Sequence, residues 1–347
     1  MKAGIIGLPT SGKTTLFRAL IGKEIPISFD KPNIGTVKVI DPELTALSLS
    51  FHPEKTTPAE IDFVDIPGVP IGEENKKRRT EIYASIRKVN ALVEVVDAFS
   101  HTKDVESSIQ EFDSDLIIMD LDVVERRLER LKKEKLDPAK ERELNVLKKC
   151  ADALEKEIPL RNVELTDEEK HTIKSFEFFT LKPVLYVINI SDTDIDKNNE
   201  IKASLEKKFS NIHSSFIVMP VELEFELSKL NAADRKEFLS SYGLNKQILP
   251  EFIDAAYALL NYETFYTVGK DEVKAWTITK GTNARKAAGK IHSDIERGFI
   301  AAEVISFEDF KAVNFSFKEA KEKGVLRIEG ENYIIKNKEI VHFRFNV

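Results

Sequence analysis

Gly7-Leu8-Pro9-Thr10-Ser11-Gly12-Lys13-Thr14 is the stretch on which the fold turns. It matches the pattern G-x-x-x-x-G-K-[ST] and lies between an apolar run at 3–7 that reads as a strand and a segment from Lys13 to Ile21 that reads as a helix. The two glycines let the backbone curl until successive N–H groups face one phosphate, and the helix N-terminus adds the favourable end of a dipole. A glycine turn followed by a surface lysine would meet the pattern alone, but not the strand before it and the helix after it. The expectation is a loop in which Leu8, Pro9, Thr10, Ser11, Gly12, Lys13, Thr14 and Thr15 surround the phosphates of a nucleotide. Lys13 is expected to bridge the outer phosphates, in a catalytic role, and the Thr14 hydroxyl to ligate Mg2+.

Working outward, short β-branched runs at 36–40, 61–65, 91–96, 184–190 and 216–221 alternate with helical patterns at 77–88, 199–209 and 249–260. That alternation predicts an α/β fold with a mostly parallel sheet. Asp65-Ile66-Pro67-Gly68 follows one of these strands in the order expected of a D-x-x-G element. Asp65 would then hold Mg2+ through water, and the Gly68 amide would sense the γ-phosphate; a plain strand-ending Asp in a Pro-Gly turn is the competing reading. Asn189-Ile190-Ser191-Asp192 ends the next-to-last of these strands, where purine-binding P-loop proteins carry N-K-x-D, and here the Lys is missing. Asn189 and Ile190 are expected to border the nucleotide. Asp192 reads either as a base contact or as a helix cap or turn former.

The gap between the strands at 91–96 and 184–190 is helical rather than a loop. Leu121, Val124, Leu128 and Leu131 recur at helical spacing, and after Asp137-Pro138 the series resumes at Leu144, Leu147, Ala151, Leu154 and Ile158. This predicts a coiled-coil-like hairpin whose charged positions are either a solvated face or a partner surface. From about 263 the pattern changes again. Strands at 273–279, 302–305, 325–329, 333–336 and 341–345, with a helix near 284–295, read as a small β-grasp-like module. The expected domains are therefore 1–112 with 177–262, an insertion at 113–176, and 263–347.

Composition narrows the function. A formal net charge of −7 argues against a surface that coats nucleic acid wholesale, so any RNA contact must be local. The one cysteine, Cys150, cannot form an intrachain disulfide, and it reads as a small buried residue of a helix. Gly7 and Pro9 interrupt the apolar run at the N-terminus, so no signal peptide is expected; no stretch is apolar enough to span a bilayer, so no membrane partner is expected and a cytoplasmic location follows.

Beyond the P-loop, longer runs carry a resemblance. Gly4-Ile-Ile-Gly-Leu-Pro9, Phe63-Val-Asp-Ile-Pro-Gly68 and Lys182-Pro-Val-Leu-Tyr-Val-Ile-Asn189 are similar to segments of the YchF (Obg-like ATPase) family. The tail is more specific still: Glu272-Val-Lys-Ala-Trp-Thr277, Ala287-Ala-Gly-Lys-Ile-His-Ser-Asp294, Arg297-Gly-Phe-Ile300, Ala302-Glu-Val-Ile-Ser306 and His342-Phe-Arg-Phe-Asn-Val347. The resemblance covers the whole chain in one order. It implies a Ras-like P-loop domain, a coiled-coil insertion and a C-terminal TGS domain, Mg2+-dependent hydrolysis of a purine triphosphate, often ATP rather than GTP, and association with ribosomes and their rRNA. It also implies a hydrophobic residue, here Val69, where Ras-type enzymes place a catalytic glutamine.

The chain departs from that pattern at several points. Phe29 stands where the family carries a Thr in its first switch, with Ser28 or Asp30 as substitutes. Thr10 stands where its P-loop commonly carries an Asn able to serve a monovalent cation. Glu73-Glu-Asn-Lys-Lys-Arg-Arg79 replaces a glycine-rich second switch and reads either as a solvated helix start or as a phosphate contact by Arg78 or Arg79. The acid Asp192 keeps ATP and GTP both open, with a lean to ATP. Three functions follow from these residues: a slow switch-like hydrolase, a nucleotide-binding scaffold without meaningful hydrolysis, and, least supported, a metabolite kinase, for which no acceptor motif is found. Oligomeric state stays open, as does whether Trp276, Lys290 and His292 touch RNA or support the fold.

Overall fold

The computed structural model describes residues 2–22, 26–28, 31–68, 76–100, 104–135, 137–209, 214–242, 244 and 246–346; the side chains of 76–79 and 214 lie outside the described set. The expectations attached to Phe29, Asp30, Val69, Glu73, Glu74 and Asn75, and to the side chains of Arg78 and Arg79, therefore fall outside the described residues.

The chain opens with β1 (Lys2–Ile6), α1 (Lys13–Ile21), β2 (Asn33–Lys38), α2 (Pro42–Phe51), β3 (Lys55–Thr57), β4 (Glu60–Asp65), α3 (Lys76–Arg87) and β5 (Ala91–Asp97). It continues through α4 (Val105–Leu131), α5 (Pro138–Leu154), α6 (Asp167–Ile173), β6 (Val184–Asn189), α7 (Asn198–Lys208), β7 (Ser214–Met219), α8 (Val221–Lys229), α9 (Ala232–Ser241) and α10 (Leu249–Leu259). It closes with β8 (Tyr262–Val268), β9 (Glu272–Thr279), α11 (Ala284–Ile291), α12 (Ser293–Arg297), β10 (Phe299–Ser306), α13 (Phe307–Ala312), α14 (Phe317–Glu322), β11 (Arg327–Glu329) and β12 (Glu339–Phe345). Two compact units result, Met1–Thr36 with Asp62–Ala256, and Val37–Ile61 with Tyr257–Val347.

In the first unit the strand order is β2-β4-β1-β5-β6-β7, and the pairs β1–β4, β1–β5, β5–β6 and β6–β7 are parallel. β6 is buried at every position, as a parallel strand covered on both faces requires. One face carries Ile82 and Ile86 of α3, Ile109, Phe112 and Leu116 of α4 and Leu205 of α7, packed on Leu92, Val96, Tyr186, Ile188 and Val218. Register then sets the site. Ile5 pairs with Asp65 and Asp97 with Asn189, so the carboxyl ends of β4 and β6 lie on the same edge as the loop that leaves β1.

The hairpin forms as its periodicity requires. Val124 and Leu131 of α4 bury against Leu147, Cys150, Ala151 and Leu154 of α5, with Leu121, Leu128 and Leu144 at the margin. Asp137 caps α5 by accepting from the N–H groups of Ala139 and Lys140, and Pro138 takes the first helical position, where its missing N–H costs nothing. Ile158 differs from expectation: α5 stops at Leu154 and Ile158 is exposed. Cys150 is fully buried, and burial pushes its thiol up to about 11.

The second unit holds a mixed sheet, β11-β10-β12-β8-β9-β3, with β12–β8 and β9–β3 parallel and β10–β11, β10–β12 and β8–β9 antiparallel. Ala284, Ala287 and Ala288 of α11 pack on one face, and Leu44, Leu47, Phe310 and Ala320 on the other. Three differences from the sequence reading arise here. Residues 37–61, expected with the nucleotide domain, group with this unit: Leu44 and Leu47 pack on Tyr266 and Val273, the Tyr266 hydroxyl donates to Asp41 at 2.9 Å, and β3 adds a strand beside β9. The helix near 284–295 breaks at His292, whose backbone is extended and whose Nδ1 accepts from the Asp294 N–H at 3.1 Å to start α12. At 333–336 a single bridge, Asn283 to Ile334, replaces the expected strand. Among the described residues no helix is long and apolar enough to cross a membrane.

Candidate functional site

The loop after β1 owes its shape to backbone that ordinary side chains avoid. Gly7 has φ 140° and Gly12 φ 102°; a Cβ at Gly7 would meet the Val95 carbonyl oxygen at 2.4 Å, and one at Gly12 would meet Asn189 Nδ2 at 2.5 Å. Both glycines are therefore required by contact as well as by conformation. Thr10 also takes a left-handed φ of 66°, which is costly for a β-branched residue and belongs to the strain that functional loops hold. Gly12 caps α1, so the first N–H groups of that helix are left facing the loop.

Lys13, Thr14, Asp65 and Gly68 come together. The Lys13 side chain is only 7% exposed and its Nζ donates to the Leu8 carbonyl at 2.6 Å, folded along the loop. Burial lowers its pKa to about 8, against the charge of Asp65, which favours the ammonium. Thr14 Oγ1 donates to Asp65 Oδ2 at 3.1 Å, and burial raises the Asp65 pKa while hydrogen bonds from Asn33 and Thr14 oppose the rise. A Cβ built on Gly68 would lie 3.5 Å from Pro9 N and 3.6 Å from Lys13 Nζ, so this glycine abuts the loop across the sheet edge.

This donor set fits Mg2+. Asp65 is 4% exposed, a buried carboxylate beside a hydroxyl, and both are hard oxygen donors of the kind that cation selects. Among the described residues no group of three or more His, Cys, Asp or Glu could hold a metal ion.

At the other end of the loop a cavity of about 480 Å³ opens, lined by Thr10, Gly12, Thr15, Asn189, Ile190 and Asp192 together with residues the sequence reading did not name. Asn189 is buried and bonded at both ends of its amide, donating to the Ser11 carbonyl and accepting from the Val221 N–H, each at 3.0 Å. It ties the phosphate loop to the start of α8. Asp192 is exposed and lines the cavity, but the cap of the 3₁₀ helix spanning Asp192–Lys197 is Ser191, whose hydroxyl accepts from the Thr193 N–H at 3.3 Å, so the helix-cap reading of Asp192 does not hold. The residues that sequence reasoning missed include Phe99, Glu222, Leu223, Phe238 and Tyr242. They sit on three separate segments without a motif. The one legible signal was Phe99, a large aromatic two residues beyond the strand that ends at Asp97.

In the segment read as the first switch, Asn33 Nδ2 donates to Asp65 Oδ2 at 3.2 Å. The sequence reading did not name Asn33 there; it offered Ser28 or Asp30 in place of a metal-binding Thr.

Two stretches of the chain match known family models. Residues 2–126 match the family described as "50S ribosome-binding GTPase", and residues 262–346 match the C-terminal domain of YchF GTPases, described as a "Protein of unknown function (DUF933)". A Bacillus subtilis protein named Ribosome-binding ATPase YchF is 36% identical over 365 residues, covering 100% of both chains. Its namesake in Haemophilus influenzae is 38% identical over 364 residues, covering 100% of this chain and 99% of the relative. The solved structure of the Schizosaccharomyces pombe YchF GTPase superposes with a TM-score of 0.86 at 27% identity, covering 99% of this chain and 97% of that one. A P-loop domain, a helical hairpin and a mixed-sheet C-terminal unit in this order, with relatives 36% and 38% identical along the whole chain, establish that the chain belongs to the YchF family.

Proposed function

We propose that this protein is a Mg2+-dependent purine nucleoside triphosphatase, a slow switch that favours ATP and works in association with the ribosome. The observation that carries the chemistry is the 3.1 Å hydrogen bond joining Thr14 to Asp65 beside the buried ammonium of Lys13. Lys13 would hold the outer phosphates, the loop and α1 N–H groups would carry the rest of the polyanion, and Thr14 and Asp65 would hold the metal. Mg2+, when bound, supplies neutralisation of charge on the phosphate oxygens. The Gly68 N–H is the group proposed to respond to the terminal phosphate, because Gly68 abuts Lys13.

Slow turnover is inferred from the sequence, in which neither a glutamine to orient water nor an arginine to stabilise the transition state is assigned. ATP and the ribosome as ligands are supported by relatives along the whole chain that are named ribosome-binding ATPases. Titration of nucleotide-free protein with fluorescent ATP and GTP analogues plus Mg2+, with Lys13→Ala as control and phosphate release read from the tighter ligand, tests the proposal. Saturable, Lys13-dependent binding with phosphate release is expected. Binding without release would make the protein a nucleotide-binding scaffold, and no binding would overturn the reading.

A further inference from the structure

Asn33 is the residue through which the first-switch segment meets the metal side of the site. It starts β2, and every polar function of its amide is engaged. Oδ1 accepts from the Ser28 N–H at 2.9 Å, and Nδ2 donates both to the Ser28 carbonyl at 3.0 Å and to Asp65 Oδ2 at 3.2 Å. This pattern fixes the orientation of the amide. Turned over, Asn33 would set an oxygen against a carboxylate and a carbonyl and an N–H group against another N–H. The amide thus grips Ser28 in two-point fashion with one end and uses its remaining hydrogen for the carboxylate that Thr14 also holds, at 3.1 Å on the same oxygen.

Asp65 is buried, and its Oδ2 accepts from both Thr14 and Asn33. A carboxylate that must present one oxygen to a cation gains from partners that orient it, and loss of such a partner typically weakens metal affinity substantially. We propose that Asn33 is a positioning residue for the metal: it orients Asp65 and links the Ser28 backbone to the occupancy of that carboxylate, the duty that a metal-binding hydroxyl in the first switch would otherwise perform. This rests on the Mg2+-nucleotide reading given above and concerns only how the metal is held.

The test uses the full chain, Mg2+ and a fluorescent, slowly hydrolysed nucleoside triphosphate. Nucleotide affinity is measured in EDTA and across a Mg2+ titration, for the wild type, Asn33→Ala, Lys13→Ala and Thr36→Val. Thr36→Val is a control on the same strand that removes the 2.8 Å bond from Thr36 Oγ1 to Asp62 without touching Asp65. The expected result is a Mg2+ midpoint raised about tenfold in Asn33→Ala, the lower end of what loss of a metal ligand's partner costs. Affinity in EDTA should stay at the wild-type value, which also reports that the variant is folded, and Thr36→Val should titrate as wild type. Three results would overturn the inference: an unchanged midpoint in Asn33→Ala, equal weakening with and without metal, or the same shift in Thr36→Val. In each of these the nucleotide reading stands as long as Lys13→Ala fails to bind. Failure of the wild type to bind nucleotide at all would remove that reading and the inference with it.

Discussion

The two ends of the cavity proposed to hold the nucleotide are built in opposite ways. The phosphate end comes from one contiguous run, residues 7–15, whose backbone conformation is forced by Gly7 and Gly12 and whose chemistry comes from N–H groups, Lys13 and Thr14. The far end comes from separated pieces: Phe99 after β5, Asn189 to Asp192 after β6, Glu222 and Leu223 on α8, and Phe238 and Tyr242 on α9 or just beyond it. A phosphate is a compact anion that a loop and a helix end can satisfy almost without side chains. A base is a flat, mostly apolar body that needs walls, and walls require distant elements brought together. Function that depends on local backbone is therefore written locally, and function that depends on enclosure is not.

The contrast can be broken first at the phosphate end. Lys13→Ala removes a buried cation aimed at the loop, and truncating one partner of such a desolvated charge pair costs about 2–5 kcal/mol. Triphosphate affinity is expected to fall about 100-fold or more, measured by fluorescent-nucleotide titration. A loss well below tenfold would mean that backbone groups alone hold the phosphates.

Asn189→Ala attacks the joint between the ends. It strands the buried Val221 N–H and Ser11 carbonyl, at about 1–3 kcal/mol for each unpaired group. Urea unfolding is expected to show the loss, and both nucleotides should bind more weakly by a similar factor, because the damage is to the frame rather than to a base contact. A variant as stable as wild type would show that these groups find other partners.

Phe99→Ala tests the far end. The ring is 41% exposed at the cavity, and a base stacked on an aromatic ring is worth about 1–3 kcal/mol, so affinity for ATP is expected to drop about tenfold. Unchanged affinity for ATP but weaker affinity for GTP, or the reverse, would sharpen the comparison by assigning base choice to this wall.

Acidity separates the ends further. Because burial lowers Lys13 to about 8 in the free chain, below its ordinary value of 10.5, the folded state releases this proton before the unfolded chain does. The sign follows directly: the lysine's contribution makes the nucleotide-free chain more stable with rising pH between about 8 and 10.5, while triphosphate affinity falls as pH climbs through 8 and the cation is lost. Affinity measured from pH 7 to 9.5 checks this, with Phe99→Ala expected to keep the same slope. The smallest effect is expected of Thr10→Asn. Asn accepts the left-handed backbone more readily than a β-branched residue does, so stability should rise by under about 1 kcal/mol in a urea titration.

Helix α8 explains why the walls were hard to read. Val221-Glu-Leu-Glu-Phe-Glu-Leu227 alternates apolar and acidic residues with the period of a half-buried strand, yet it forms a helix. Glu224 is buried there, held by the Ile248 N–H at 2.7 Å and by Gln247, and Asn189 takes the first N–H of the helix. These partners lie 24, 23 and 32 residues away, beyond any periodicity. The same holds for α2 and β3, which the sequence reading did not give: Leu44 and Leu47 of α2 find their partners in Tyr266, Val273 and Phe310.

Determined by sequence alone were the elements whose cause is local. The P-loop follows from glycine stereochemistry, the parallel strands from unbroken apolar runs, the α4–α5 hairpin from its spacing and from the Asp137-Pro138 start, and the meeting of Asp65 with the loop from the order of motifs along strands. Tertiary structure alone decided the cavity walls, the recruitment of 37–61 into the second sheet, and Asn33 as the partner of Asp65. In each of those cases the stabilising group, whether a backbone N–H, a carboxylate or an apolar face, belongs to a distant part of the chain. A short-range pattern cannot register a partner that only folding supplies.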